Sequence, residues 1–288
     1  MSKYIVYTYQ FAPLQTTSNN LFGEKDLLTP EQAMANKQEI FSKLLSQKDL
    51  SFSFNNKTYG HKILLASMGV VVFRIANNRN TTLEREFQKR KIEYTPSCGV
   101  IIDNRHDVQH IAIEEDPTAF YETEQVVKIL NSTFNRLLKP YGLKLTIQKM
   151  YQKTEFWTIV NKHKDKIELV RFHFSYPNLP HVNKTIKEII ASTSKSTNSK
   201  QSSFELKSAT GETLVLNENN QELKDLANYA ADSGDGIDIK AKGLKSFIKT
   251  GATSVSFEIE DIAAIISKDI FQDGAEKLIE ILNKVTKS

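Results

Sequence analysis

The chain opens on an alternation. Tyr4-Ile5-Val6-Tyr7-Thr8-Tyr9-Gln10-Phe11 sets apolar and polar side chains by turns, which predicts a strand over residues 3–12. Tyr4 falls on the face opposite Tyr7, Tyr9 and Phe11, so these rings suit core packing, a dimer interface or stacking on unpaired bases. The polar stretch from Gln15 to Asp26 reads as a loop. Thr29-Pro30-Glu31 supplies a cap, a first-turn proline and an early acid, predicting a helix to about Gln47. A β-meander follows: Phe52-Ser53-Phe54, a turn at Asn55-Asn56-Lys57, a strand over 58–66, a turn at Met68-Gly69 and a strand over 70–76. The charged run 80–92 has helical propensity. Val100-Ile101-Ile102 with 108–114 predicts a second hairpin, turning at 104–107. Asp116-Pro117 predicts the start of a long helix, with Phe120, Val126, Val127, Leu130, Phe134, Leu137 and Leu138 at helical spacing before Pro140.

Further strands are predicted over 143–150 and 167–174, then a short helix over 182–191. Ser192 to Ser203 contains no apolar side chain and reads as a linker or exposed loop. It sets the expected organisation: a domain over 1–191, a Ser/Thr/Lys linker over 192–203, and a second domain over 204–288. The latter holds a hairpin (204–207 with 213–216, turning at Thr210-Gly211), a helix over 221–231, strands over 237–242 and 255–259, and a terminal helix ending near Val285. Hairpins mixed with helices predict an α+β fold with mainly antiparallel sheets and two domains.

Composition narrows the class. Among 288 residues, 40% are hydrophobic and 25% charged, which excludes wholesale disorder, collagen-like repeats and a coiled-coil rod. The single cysteine, Cys98, excludes an intrachain disulfide and a Cys-rich zinc site; a buried structural thiol is expected. The longest apolar run, 63–73, falls short of the roughly 20 residues that span a bilayer. The first residues lack the apolar core and cleavage site of a signal peptide, so a cytoplasmic protein without membrane insertion is expected.

The formal charge of +4 conceals an asymmetry along the chain. Residues 1–202 carry 28 Lys+Arg against 19 Asp+Glu, and 203–288 carry 10 against 15. A basic half beside an acidic half suits a nucleic-acid-binding region and a domain that supports dimerisation or restrains binding. The densest basic cluster is Arg79, Arg85, Lys89, Arg90 and Lys91, whose charges would neutralise backbone phosphates and release counterions. A solvated helix face held by local ion pairs is the plainer reading of the same residues. Lys240, Lys242, Lys245 and Lys249 form a second basic run on a predicted strand and turn. Only seven of the basic residues are Arg, and a bias to Lys, Asn and Ile of the sort an AT-rich genome produces discounts lysine abundance as evidence.

Catalytic signatures are sparse. Glu205-Leu206-Lys207 matches the E-x-K half of a metal-dependent nuclease, which also needs a second carboxylate; Asp165 is the candidate. Asp103, His106, His110, Glu114, Glu115 and Asp116 gather around one predicted hairpin, where strand alternation favours a solvated face over a metal or acid/base site. No phosphate-binding loop or His pair at metal spacing is present, so neither catalytic residues, a metal nor a cofactor is assigned.

Tyr4-Ile5-Val6-Tyr7-Thr8-Tyr9, Tyr59-Gly60-His61-Lys62-Ile63-Leu64-Leu65 leading into Val70-Val71-Val72-Phe73-Arg74-Ile75, the charged segment Leu83 to Arg90, and Pro96-Ser97-Cys98-Gly99-Val100-Ile101-Ile102-Asp103 before the long helix form a recognisable order. That order resembles the A components of Rex-type phage-exclusion systems, as in phage lambda, and related anti-phage proteins. The likeness covers residues 4–150, is one of element order and apolar pattern, and does not extend beyond Glu155. It implies a dimeric, cytoplasmic, sequence-independent DNA-binding protein that acts in phage defence with a partner protein. The expectation is therefore a non-enzymatic double-stranded DNA binder, a homodimer working electrostatically. The alternatives are a nuclease using Glu205 and Lys207 and a protein-interaction adaptor.

Overall fold

The structure is a computed structural model that describes residues 1–14, 29–175 without 48, 86 and 107, 201–260 without 234 and 235, 271–287, and positions 189, 192, 193, 196, 197, 199, 262 and 266. It is an α+β protein with mainly antiparallel sheets. No helix among the described residues is long and apolar enough to cross a membrane.

Two compact units divide the chain. The first comprises residues 1–5, 11–147 and 256–287, and the second comprises 6–10 and 148–255 with residue 288. The sheet that dominates the first runs in the order β10-β1-β9-β8-β5-β4, with β15 also pairing to β1. Its strands are β1 (Ser2–Pro13), β4 (His61–Ser67), β5 (Val70–Ala76), β8 (Ser97–Asp103), β9 (His110–Glu114), β10 (Leu143–Lys149) and β15 (Ser256–Ile259). β1 is buried without a break from Tyr4 to Phe11, so its rings are core on both faces and none is free to stack on bases. Tyr4 stacks on Phe257 with ring centroids 5.5 Å apart. The β4–β5 turn is tight because Met68 and Gly69 both take positive φ, 54° and 78°, matching the strand twist.

Helices of this unit include α1 (Pro30–Ala35), α2 (Lys37–Leu45) and α3 (Thr123–Leu138). Thr29 caps α1 in a reciprocal box with Gln32, as its sequence suggests, but the predicted single helix breaks at Asn36. Phe41 of α2 and Phe134 of α3 meet edge to face at 4.9 Å, and the series continues to Phe52 and Phe73. Phe52 lies in β2 (Phe52–Phe54), which pairs with β3 (Lys57–Tyr59). The long helix starts at Thr123 rather than at Pro117. Asp116 instead closes a separate turn, its carboxylate accepting from the Thr118 amide and hydroxyl.

The second unit is built on the sheet β12-β11-β13-β14: β11 (Ile167–Ser175), β12 (Gln201–Lys207), β13 (Ile237–Ala241) and β14 (Ile248–Lys249). Helices α4 (Thr154–Lys162) and α5 (Gln221–Ser233) cover one face, burying Phe156, Val170, Phe172, Leu223, Tyr229 and Ile239 in one core. β12 pairs with β11 and not with 213–216, because that register sets Leu206 beside Val170, whereas 213–216 forms no strand.

This pairing relocates the expected boundary. Ser192–Ser203 connects two neighbouring strands of one sheet, and Gln201–Ser203 belong to β12. The terminal helix α6 (Phe271–Lys287) and β15 belong to the first unit. The charge asymmetry dissolves with it: the first unit carries 22 basic and 22 acidic residues, the second 16 and 12. The helix expected over 182–191 lies outside the described residues apart from Ile189.

Candidate nucleic-acid interface

The charged run 80–92 is not a helix. It folds into a two-stranded antiparallel ribbon, β6 (Arg79–Arg85) and β7 (Gln88–Tyr94), joined by a two-residue connection. Thr81, Thr82, Ile92 and Tyr94 explain the preference, since β-branched and aromatic side chains lose χ1 freedom in a helix and fit a pleated surface. A helix would also set Arg85 four residues from Lys89, two like charges on one face. The register pairs Arg79 with Tyr94, Thr82 with Lys91, Glu84 with Lys89 and Arg85 with Gln88.

Every residue of β7 is exposed. At about 3.3 Å per residue, seven residues make an arm roughly 20 Å long. Alternation puts Arg90 with Ile92 and Tyr94 on one face, and Lys89 and Lys91 with Glu93 on the other. Among the described residues, the side chains of Lys89, Arg90 and Lys91 have no hydrogen-bond or ion-pair partner. Their charges are therefore available to a ligand.

A two-stranded ribbon alone is marginal in water, so its root must be held. Arg79 does this. Its Nε donates to the Ala119 carbonyl at 3.0 Å, and its guanidinium lies over the Tyr121 ring, 4.4 Å from the centroid. Asn77 Nδ2 donates to the same carbonyl at 2.8 Å, and Lys57 Nζ donates to Asn77 Oδ1 at 2.6 Å. Arg79, expected to meet phosphate, is engaged at the root of the ribbon by these contacts.

At the tip, Phe87 is 99% exposed and has φ 61°. A residue with a Cβ pays about 1–2 kcal/mol in this left-handed region, which Gly occupies at no steric cost. Phe87 does not stand out among the candidate residues of the sequence. Its signal in the sequence is a lone aromatic inside a charged run.

The second basic group lies in the other unit. Lys240 is committed internally: Nζ donates to the carbonyls of Leu244 at 2.5 Å and Lys245 at 2.9 Å, and it lies 5.7 Å from the Phe247 ring. Lys249 lies 3.9 Å from Asp238, while Lys242 and Lys245 are exposed on the turn. Asp238 also meets His173 Nε2 at 3.0 Å, beside a cavity of about 280 Å³ lined by Gln201, Ser202 and Thr250.

Glu205 of the E-x-K sequence is engaged by Arg171, whose Nε and Nη2 reach its Oε2 at 2.9 and 2.7 Å. Arg171 sits in register between Glu205 and Asp238, so the Glu205 carboxylate is paired with a cation of the chain itself. Of the acids and histidines around 103–116, Asp103 and His110 face each other as register partners across β8 and β9, while the carboxylates are engaged by other groups. Asp103 holds Arg105, whose guanidinium is thereby kept more basic than usual; Glu114 takes Arg74 and the Gly99 amide; Glu115 pairs with Lys3. No group of three His, Cys, Asp or Glu that could hold a metal occurs among the described residues. Cys98 is buried, and that burial, reinforced by the nearby Glu114 carboxylate, pushes its thiol far above the usual range, so it is a poor nucleophile.

No protein-family model and no curated protein matches the chain.

Proposed function

We propose that this chain is a sequence-independent double-stranded DNA-binding protein that grips the duplex with the β6–β7 ribbon. The observation that supports the reading is the exposed arm bearing Lys89, Arg90 and Lys91 without internal partners. Such a ribbon is narrow enough to follow a duplex groove while its cations neutralise the flanking phosphates. Half-chain charge no longer contributes to the case; the local arm does. The Rex-type order over residues 4–150 adds the setting: a cytoplasmic homodimer acting in phage defence with a partner protein.

The test is duplex binding across a salt series, with the quadruple variant Arg85→Glu, Lys89→Glu, Arg90→Glu and Lys91→Glu. Each lost phosphate contact lowers the slope of log K against log salt by about 0.9, so the variant loses up to about 3.6 of slope. Unrelated duplexes bind the native chain equally. A native chain that ignores duplex at low salt, or a variant that binds as the native one does, sinks the reading.

A further inference from the structure

The tip of the ribbon carries more than charge, and we propose that Phe87 is an intercalating wedge: the ribbon enters the minor groove, and the Phe87 ring inserts between adjacent base pairs and kinks the duplex. This rests on the DNA-binding reading above and names the mode of contact. Three observations bear on it. The ring is 99% exposed and has no ring partner among the described residues. Its backbone is held at φ 61°, where Gly or Asn would relieve strain, so folding alone gives no reason for Phe there. The three unpartnered cations follow within four residues, placing phosphate ligands beside an apolar tip.

An aromatic ring alone in water is an uncompensated apolar surface, and every base pair offers two flat faces to cover it. Stacking of this kind is indifferent to sequence, as the reading requires. Minor-groove architectural proteins use the same division of labour, with basic and amide side chains along the groove and an apolar side chain prying one step open. Gln88 and Arg90, on one face of the ribbon, supply the polar part here. The charge complementarity selects a polyanion over an apolar protein surface as the occupant.

The experiment measures, on the full chain, both duplex affinity and ring closure of a DNA fragment shorter than the roughly 150-base-pair persistence length. The native chain accelerates closure. Phe87→Ala binds about 5- to 150-fold more weakly, the range expected for one lost stack, and no longer accelerates closure at saturating protein. Phe87→Leu, which keeps an apolar wedge, retains much of the acceleration. Phe87→Gly melts no earlier than the native chain, since the left-handed position suits it, which separates loss of bending from loss of fold. If Phe87→Ala binds and closes circles like the native chain, the wedge is overturned while DNA binding stands. If the native chain binds no duplex, both fall, and Phe87 becomes an anchor for a protein partner.

Discussion

Arg79 separates anchoring from phosphate contact, and the two roles predict opposite results. Replacing it with Ala removes the Nε hydrogen bond to the Ala119 carbonyl and the stack over Tyr121. The hydrogen bond contributes about 0.5–1.5 kcal/mol and the cation–π contact about 0.5–1 kcal/mol. The Ala119 carbonyl keeps its Asn77 donor, so no buried acceptor is left orphaned. The loss of about 1–2.5 kcal/mol falls on ribbon opening, raising the open population about 5- to 70-fold. Trypsin cutting at Arg85, Lys89, Arg90 and Lys91, followed by mass, reads that population when reclosing outpaces cleavage. Cutting there accelerates by the same factor while the melting temperature of the whole chain stays nearly constant. Arg79→Lys accelerates it similarly, because an ammonium cannot reproduce the planar stack. The salt slope of DNA binding is unchanged in both variants once saturation is reached. Unchanged cutting with a slope reduced by about 0.9 would refute the anchor and make Arg79 a phosphate contact.

Gly99→Ala should destabilise the first unit by about 1–3 kcal/mol, because a Cβ there overlaps the buried Tyr4 hydroxyl and crowds Glu114. Adding Tyr4→Phe recovers part of that loss in urea unfolding, and strict additivity would show that the two sites do not touch. His61 packs edge-on against Phe52 at 5.0 Å, and burial lowers its pKa below the ordinary 6.5. Protonation therefore favours the unfolded chain: stability is full above pH 6.5 and declines as pH falls from there to the folded value. Urea midpoints at pH 7.5 and 5 should differ less in His61→Gln than in the native chain, and equal differences would count against the assignment.

The core was legible where a single local rule decided it. The Thr29 cap, the Met68-Gly69 turn and the strands of the meander follow from residue chemistry within a few positions, with no need of tertiary context. The ribbon was not, because Glu, Lys and Arg in 80–92 carry helix propensity, while the deciding facts are non-local: Thr82 facing Lys91, and Arg79 finding Ala119 and Tyr121 forty residues on. β12 failed for a related reason. Its sequence neighbour 213–216 looked like a hairpin partner, yet Leu206 finds its burial beside Val170, across the Ser-rich stretch. Of the candidate site, the cations Lys89, Arg90 and Lys91 were visible as a cluster. Phe87 was hidden because its meaning depends on lying at a turn.

Position along this chain is a poor proxy for position in space. Splitting at Ser192–Ser203 produced a basic and an acidic half, but a polar stretch marks a domain boundary only if few contacts cross it. Here β11 and β12 hydrogen bond across it, and β15 pairs with β1 from the far end of the chain. A fragment ending at residue 191 would strip β1 of that partner and β4 of the helix α6 packed on it. The spatial units are balanced, 22 against 22, or mildly basic, 16 against 12, so neither presents a strong overall field for DNA. What distinguishes the ribbon is local: among the described residues, cations without partners on an arm whose strand β7 is exposed throughout, beside an exposed ring at the tip. The DNA-binding surface proposed above depends on the geometry of a few side chains rather than on net charge. Its affinity should therefore respond sharply to Lys89, Arg90, Lys91 and Phe87 and little to surface charges elsewhere.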